Sequence, residues 1–166
     1  MSRLVLEEHS IGQQIVKLLR ENDCWFETFE HEPVRTSEEA AQIRDGYSLR
    51  QGAKALIIRA AIAGQGKKFL MLVVPGDRRF DEDKVKLLLN AKNIRFATEE
   101  EVESITEGVK PGGVPPFGNL FNLEVISDSS LYDMEKIVFN AGRTFSIAVK
   151  PADYQRLVEP QVAGIV

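Results

Sequence analysis

Apolar and polar residues alternate along this chain in two rhythms, and the switches between them mark the elements. Ser10 to Asn22 places Ile11, Ile15, Leu18 and Leu19 at helical spacing, with Ser10 positioned to cap the first turn. Cys24 to Phe29 reads as a strand. Thr36-Ser37-Glu38-Glu39 has the form of a capping box and predicts a short helix through Ile43. Ala53 to Ala63 contains the unbroken run Leu56-Ile57-Ile58, as expected of a strand covered on both faces. Gly64-Gln65-Gly66 then reverses the chain into a second apolar strand, Phe69 to Val74, so the pair predicts an antiparallel hairpin at the centre of a sheet.

A helix is predicted over Asp81 to Ala91, with Val85, Leu87, Leu88 and Leu89 as its buried side. A short strand follows over Ile94 to Ala97, and Thr98 with Glu101 three residues on opens another capped helix. Gly108 to Asn119 is too rich in glycine and proline for either regular structure. Strands over Leu123 to Ile126, Lys136 to Asn140 and Thr144 to Val149 come next, and a helix after Pro151 closes the fold. This order predicts an α+β (mixed α/β) fold: one domain over residues 1–166, with a mostly antiparallel mixed central sheet and helices packed around it. Strand order does not follow from the pattern.

Composition narrows the class. The chain has 166 residues, 43% of them hydrophobic and 28% charged, the balance of a globular domain with a real core. Its longest apolar stretches, such as Phe69 to Pro75, fall well short of the ~20 residues that span a bilayer. The acidic start, Met1 to Glu8, has no apolar signal core. The lone Cys24 cannot pair within the chain and reads as a core thiol, which fits a reducing cytoplasm. A net charge of −4 argues against long tracts of bound nucleic acid. It leaves room for a protein that grips a few phosphates at an RNA tip. Neither DNA nor a membrane is an expected partner.

The usual catalytic motifs are missing. Gly64-Gln65-Gly66-Lys67 lacks the spacing of a P-loop, and no Gly-x-Ser-x-Gly elbow is present. With His9, His31 and Cys24 as the only histidines and cysteine, a zinc site of ordinary composition cannot be built. No metal or cofactor is expected. His31 fits a hydrogen-bonded structural role, and Trp25 and Phe29 fit the core better than a stacking platform. Three features stand out. Lys54 opens an apolar strand, so its ammonium either snorkels to solvent or stands at a cavity mouth. The loop at Gly112-Gly113-Val114-Pro115-Pro116 either connects rigidly or presents backbone N–H groups to an oxyanion. Asn140-Ala141-Gly142-Arg143 ends a strand either as a turn or as a close approach to ligand.

Several segments together resemble the YbaK family of aminoacyl-tRNA deacylases, which includes the editing domain inserted in bacterial prolyl-tRNA synthetases. They are Phe29-Glu30-His31-Glu32-Pro33 with Thr36, Gly52-Ala53-Lys54-Ala55-Leu56, and Leu72-Val73-Val74-Pro75-Gly76-Asp77. Ala97-Thr98-Glu99-Glu100-Glu101-Val102, Gly112-Gly113-Val114-Pro115-Pro116-Phe117-Gly118 and Asn140-Ala141-Gly142 complete the set. The likeness implies hydrolysis of the ester between a mispaired amino acid and the terminal adenosine of tRNA. It implies that Lys54 holds the phosphate of the terminal nucleotide. Gly112 opens a Gly-x-x-x-Pro loop, ending at Pro116, whose backbone faces the reacting carbonyl. Phe29, Thr36, Glu38, Gly113, Asn140 and Gly142 correspond to positions bordering the substrate. The implied partners are the acceptor end of a mischarged tRNA and an aminoacyl-tRNA synthetase. Two departures concern selectivity. The run Gly142-Arg143-Thr144-Phe145-Ser146 lacks the histidine or aspartate that certain members carry there. Ala55 stands where alanine-specific relatives have asparagine. Two rival readings use the same pocket: a non-catalytic module that binds aminoacyl-tRNA or a nucleotide beside a synthetase, and a hydrolase of another small ester or thioester.

Overall fold

The computed structural model describes residues 3–33, 36–44 and 46–166 of the chain, without the side chains before Ile11 or those of Ser37 and Ile43. The placements of Met1, Ser2, Val34, Arg35 and Asp45, and the side chain of His9, lie outside the description.

In chain order the helices are α1 (Arg3–Glu21), α2 (Ser37–Ile43), α3 (Glu82–Leu89), α4 (Glu99–Thr106) and α5 (Pro151–Val158). The strands are β1 (Phe26–Glu30), β2 (Ala53–Ile62), β3 (Gly66–Pro75), β4 (Ala91–Phe96), β5 (Val125–Asp128), β6 (Ile137–Asn140), β7 (Phe145–Val149) and β8 (Gln161–Ala163). The class is mixed α/β, as expected. The strands divide into two sheets, ordered β1-β7-β6 and β4-β2-β3-β5-β8. The smaller is antiparallel throughout. In the larger, β2 pairs antiparallel with β3 and β4, whereas β5 lies parallel to both β3 and β8. Among the described residues, a bridge between Gly52 and Val138 links the sheets, and it falls where β2 begins.

The predicted hairpin sits at the centre of the larger sheet, in register from Ala53 opposite Pro75 to Ile62 opposite Gly66. Its apolar runs are explained by two cores. Met71 and Val73 face a cluster with Ile15, Leu19, Phe117, Phe139, Ile147 and Tyr154. Leu70, Leu72 and Val74 face a second cluster with Ile58, Val85 and Ile126. Alternate residues of one strand therefore serve opposite layers, and neither face can be polar.

Both capping boxes form or partly form. Thr36 accepts from the Glu39 N–H at 3.1 Å, and Thr98 exchanges hydrogen bonds with Glu101 in both directions. Other expectations are corrected. Ser10 does not begin a helix; it lies within α1, which starts a full two turns earlier. Gly12 lets α1 pack tightly, because a β-carbon there would stand 2.6 Å from the Phe145 ring. In α3 only Val85 is fully buried, while Leu87 is 85% exposed and Leu88 38%. That helix has one neighbouring sheet and a narrow buried stripe, so apolar residues off the stripe face outward. Trp25 and Phe29 are half-buried rather than core: Lys136 Nζ stands 4.4 Å from the Trp25 ring centre, and Phe29 meets Tyr47 edge-on at 5.6 Å. Cys24 is buried, as expected of a core thiol.

Candidate functional site

Where the two sheets meet, the beginning of β2, the end of β6, helix α2 and the glycine-proline loop enclose a cleft of ≈ 230 Å³. This is below the roughly 300–1,000 Å³ of pockets for drug-sized ligands, and suits one small side chain and its immediate attachment. Lys54, Gly112, Thr36 and Asn140 all contribute to its wall, with Ala40, Ala53, Ala55 and Val114 as apolar surface. Four residues singled out in the sequence, from four separate segments, are thus brought to one volume.

Lys54 stands at the sheet end because β2 starts one residue before it. The residue is half-buried, and its ammonium donates to the Arg78 carbonyl at 3.1 Å. Desolvation pushes its pKa down, against the attraction of Glu38 and Asp77, with Arg79 adding to the depression. Glu38 lies exposed on α2 outside the cleft wall and reaches the lysine through its charge.

The loop is shaped by its own sequence. The Gly113 N–H donates to the Lys110 carbonyl at 2.9 Å, and Gly112 has a φ of +89°. Proline followed by glycine at the centre of Lys110-Pro111-Gly112-Gly113 is what a type II turn requires. Two contacts then fasten the turn to the end of β6. The Asn140 side chain donates to the Gly112 carbonyl at 2.7 Å, and the Gly142 N–H donates to the Gly113 carbonyl at 2.7 Å. Neither the Gly112 nor the Val114 N–H donates a hydrogen bond among the described residues. Gly113, Pro116 and Gly142 lie outside the cleft wall and brace the loop. Phe29 is also outside the wall, on β1 against Tyr47.

At the loop's far end, the Pro116 carbonyl accepts from the buried Tyr154 hydroxyl at 2.7 Å. Tyr154→Phe should therefore strand a buried carbonyl, an expected loss of ~1–3 kcal/mol measurable by urea unfolding. An unchanged midpoint would show that the carbonyl finds another partner.

Arg44 was not indicated by the sequence. It follows a short helix with no flanking motif, and arginines are seldom buried. Here it is only 6% exposed, and burial lowers its pKa to about 10. Its Nε donates to Ser146 Oγ at 3.1 Å and its Nη2 donates to Asn140 Oδ1. No carboxylate pairs with it among the described residues.

His31 completes this network as the structural histidine expected. Its Nδ1 lies 2.9 Å from the Glu32 carbonyl, which only accepts, so the neutral ring carries its proton there. Nε2 then accepts from Ser146 Oγ, 2.7 Å away. Burial pushes the His31 pKa below 6.5, Arg44 adds to the depression, and the bond to Glu32 opposes it. The unfolded chain takes up this proton near 6.5 while the folded chain resists. The stabilisation is full above that pH and falls as pH drops toward the lower native value. His31→Gln should flatten the decline of the urea midpoint between about pH 7 and about pH 5. An identical slope in both proteins would remove His31 as its source.

Comparison with known proteins places these features in a wider set. The model of a family described as the aminoacyl-tRNA editing domain matches residues 31–157. The proline–tRNA ligase of Caldicellulosiruptor saccharolyticus is 30% identical over 125 residues, covering 68% of this chain and 21% of the ligase. That of Bacillus licheniformis is 34% identical over 115 residues, covering 69% of this chain and 19% of the ligase. The chain thus spans about a fifth of the length of these two relatives. A crystal structure of a candidate trans-editing enzyme for prolyl tRNA synthetase superposes with a TM-score of 0.71 at 28% identity, covering 84% of this chain and 85% of that one.

Proposed function

Since this chain belongs to the family of aminoacyl-tRNA editing domains, we propose that it hydrolyses the ester joining a wrongly attached amino acid to the 3′-terminal adenosine of tRNA. The observation that carries this reading is the placement of Lys54 and Gly112 in the wall of one small cleft. An aminoacyl ester is already activated, so catalysis needs orientation and charge stabilisation more than a strong nucleophile.

Lys54 holds the phosphate of the terminal nucleotide as a point charge at the cleft mouth. The aminoacyl group enters between Ala40, Ala55 and Val114. Water, oriented by the free hydroxyl of the terminal ribose, adds to the ester carbonyl, and the Gly112 N–H receives the developing oxyanion. The carbon–oxygen bond to the ribose then breaks, the proton of the attacking water returns to the ribose oxygen, and the free amino acid leaves. Rejection of larger side chains is by size. One methylene supplies only ~1–3 kcal/mol of discrimination, so a second, hydrolytic sieve complements a synthetase that has already selected once. The acceptor end of a mischarged tRNA is the substrate, a prolyl-tRNA synthetase is the matching partner, and the cytoplasm is the place of action.

The test is a panel of misacylated tRNAs, beginning with prolyl tRNA carrying alanine or cysteine. Release of free amino acid, inhibited strongly by uncharged tRNA, is the expected result. Binding without release would make this a non-catalytic module. Release that uncharged tRNA leaves untouched would indicate a different ester as substrate.

A further inference from the structure

The guanidinium of Arg44 is buried in the wall of the cleft with no carboxylate beside it among the described residues. Isolated buried charges are costly, and a purely structural arginine ordinarily has an acidic partner. What Arg44 has instead is the side-chain oxygen of Asn140, together with Ser146 Oγ.

An asparagine amide has one accepting end and one donating end. In this site the donating end holds the Gly112 carbonyl at 2.7 Å. Were the amide reversed, its NH₂ would face the guanidinium N–H and its oxygen would face the Gly112 oxygen, both repulsive. A fixed donor on the oxygen side therefore decides where the nitrogen points. Ser146 cannot be that donor reliably. Its one proton is shared between Asn140 Oδ1 at 3.0 Å and His31 Nε2 at 2.7 Å, and neutral His31 claims it. The guanidinium has no such conflict.

We infer that Arg44 is a positioning residue: by donating to Asn140 Oδ1 it fixes the direction of that amide, and the amide in turn sets the Gly112 carbonyl and the adjoining turn. Its catalytic consequence rests on the deacylase reading above, whereas its structural consequence does not. Lysine is a poor substitute, because an ammonium cannot reach Ser146 and Asn140 together as the planar fork does.

The experiment compares the wild type with Arg44→Lys, Arg44→Gln, Asn140→Ala and the Arg44→Gln/Asn140→Ala double variant. Amide resonances of Gly112 and Gly113 in ¹⁵N-labelled protein report the turn without substrate. Both Arg44 variants and Asn140→Ala should shift these two resonances while the β2–β3 hairpin signals stay in place. On misacylated tRNA, kcat should fall roughly tenfold or more, the size of losing one hydrogen bond to a charged group, with KM little changed. The double variant should be no slower than the slower single one, because both changes break one relay. Losses in kcat that multiply, or unmoved Gly112 and Gly113 resonances in folded Arg44→Lys, would overturn the inference. Global unfolding of Arg44→Lys would do so too, since it would mark Arg44 as merely structural. A wild type that releases no amino acid would refute the deacylase reading alone, and the resonances would still decide the relay.

Discussion

Replacing Lys54 with alanine is expected to lower kcat/KM for amino acid release by about 10- to 100-fold, the equivalent of losing a hydrogen bond between charged groups. Lys54 is half-buried, and among the described residues its ammonium donates to the Arg78 carbonyl in an exposed turn. Water can replace it there, so the urea midpoint should stay close to that of the wild type. A phosphate anchor acts at a distance from the scissile ester. Its removal should raise KM first, and kcat should suffer only as far as binding energy orients the carbonyl. Because burial depresses the Lys54 pKa, activity should also fall on the alkaline side at a pH below the 10.5 of an ordinary lysine. Unchanged kcat/KM in the folded variant would remove the anchor from the mechanism.

Gly113→Ala should cost more. A β-carbon at this position would stand 2.9 Å from the Arg143 nitrogen and the Gly142 carbonyl carbon, and 3.0 Å from Gly142 Cα. All three are backbone atoms, so no side chain can swing away. The loop must lift from the end of β6, stretching the bond from the Gly142 N–H to the Gly113 carbonyl. The Gly112 N–H would be carried out of position with it. The expected loss in kcat is about 10²–10³-fold, as for removal of an oxyanion donor. Stability should fall by ~1–3 kcal/mol through overpacking. Gly64→Ala serves as the control. Gly64 has a φ of +79° in the β2–β3 turn but open space around it, so substitution should cost roughly 1 kcal/mol of stability and leave kcat alone. Equal kcat in Gly113→Ala and wild type would show that the loop's placement is immaterial to the reaction.

How far the sequence discloses this molecule depends on the range of each interaction. Thr36 with Glu39 and Thr98 with Glu101 are contacts three residues apart, so the starts of α2 and α4 were plain from the letters. The hairpin was equally plain, because Gly64-Gln65-Gly66 separates two runs that are apolar for the same reason. The two-sheet division was not, since the parallel pairing of β3 with β5 joins segments some fifty residues apart, and no local pattern encodes it. β8 also escaped notice. Its three residues are too few to show a period, and it is held by pairing with β5 and by Asp128, which accepts from the Ile165 N–H at 2.9 Å.

At the site the same division holds. Lys54 and the Gly112 loop were conspicuous as a charge opening an apolar strand and as a dense glycine-proline segment. Their meeting in one cleft depends on the bridge between Gly52 and Val138, which only the folded chain reveals. Arg44 and Ser146 are ordinary polar residues in the sequence and become significant only when 102 positions of chain bring them within 3.1 Å.

The decisive measurement is the release of labelled amino acid from prolyl tRNA charged with alanine or cysteine, followed side by side for wild type, Lys54→Ala and buffer. Release by the wild type far above the buffer rate, with the variant slowed about 10- to 100-fold at limiting tRNA, is the predicted result. Release by folded wild type no faster than in buffer across the misacylated panel, or equal rates with and without the ammonium, would contradict a hydrolytic site built from Lys54 and the Gly112 turn.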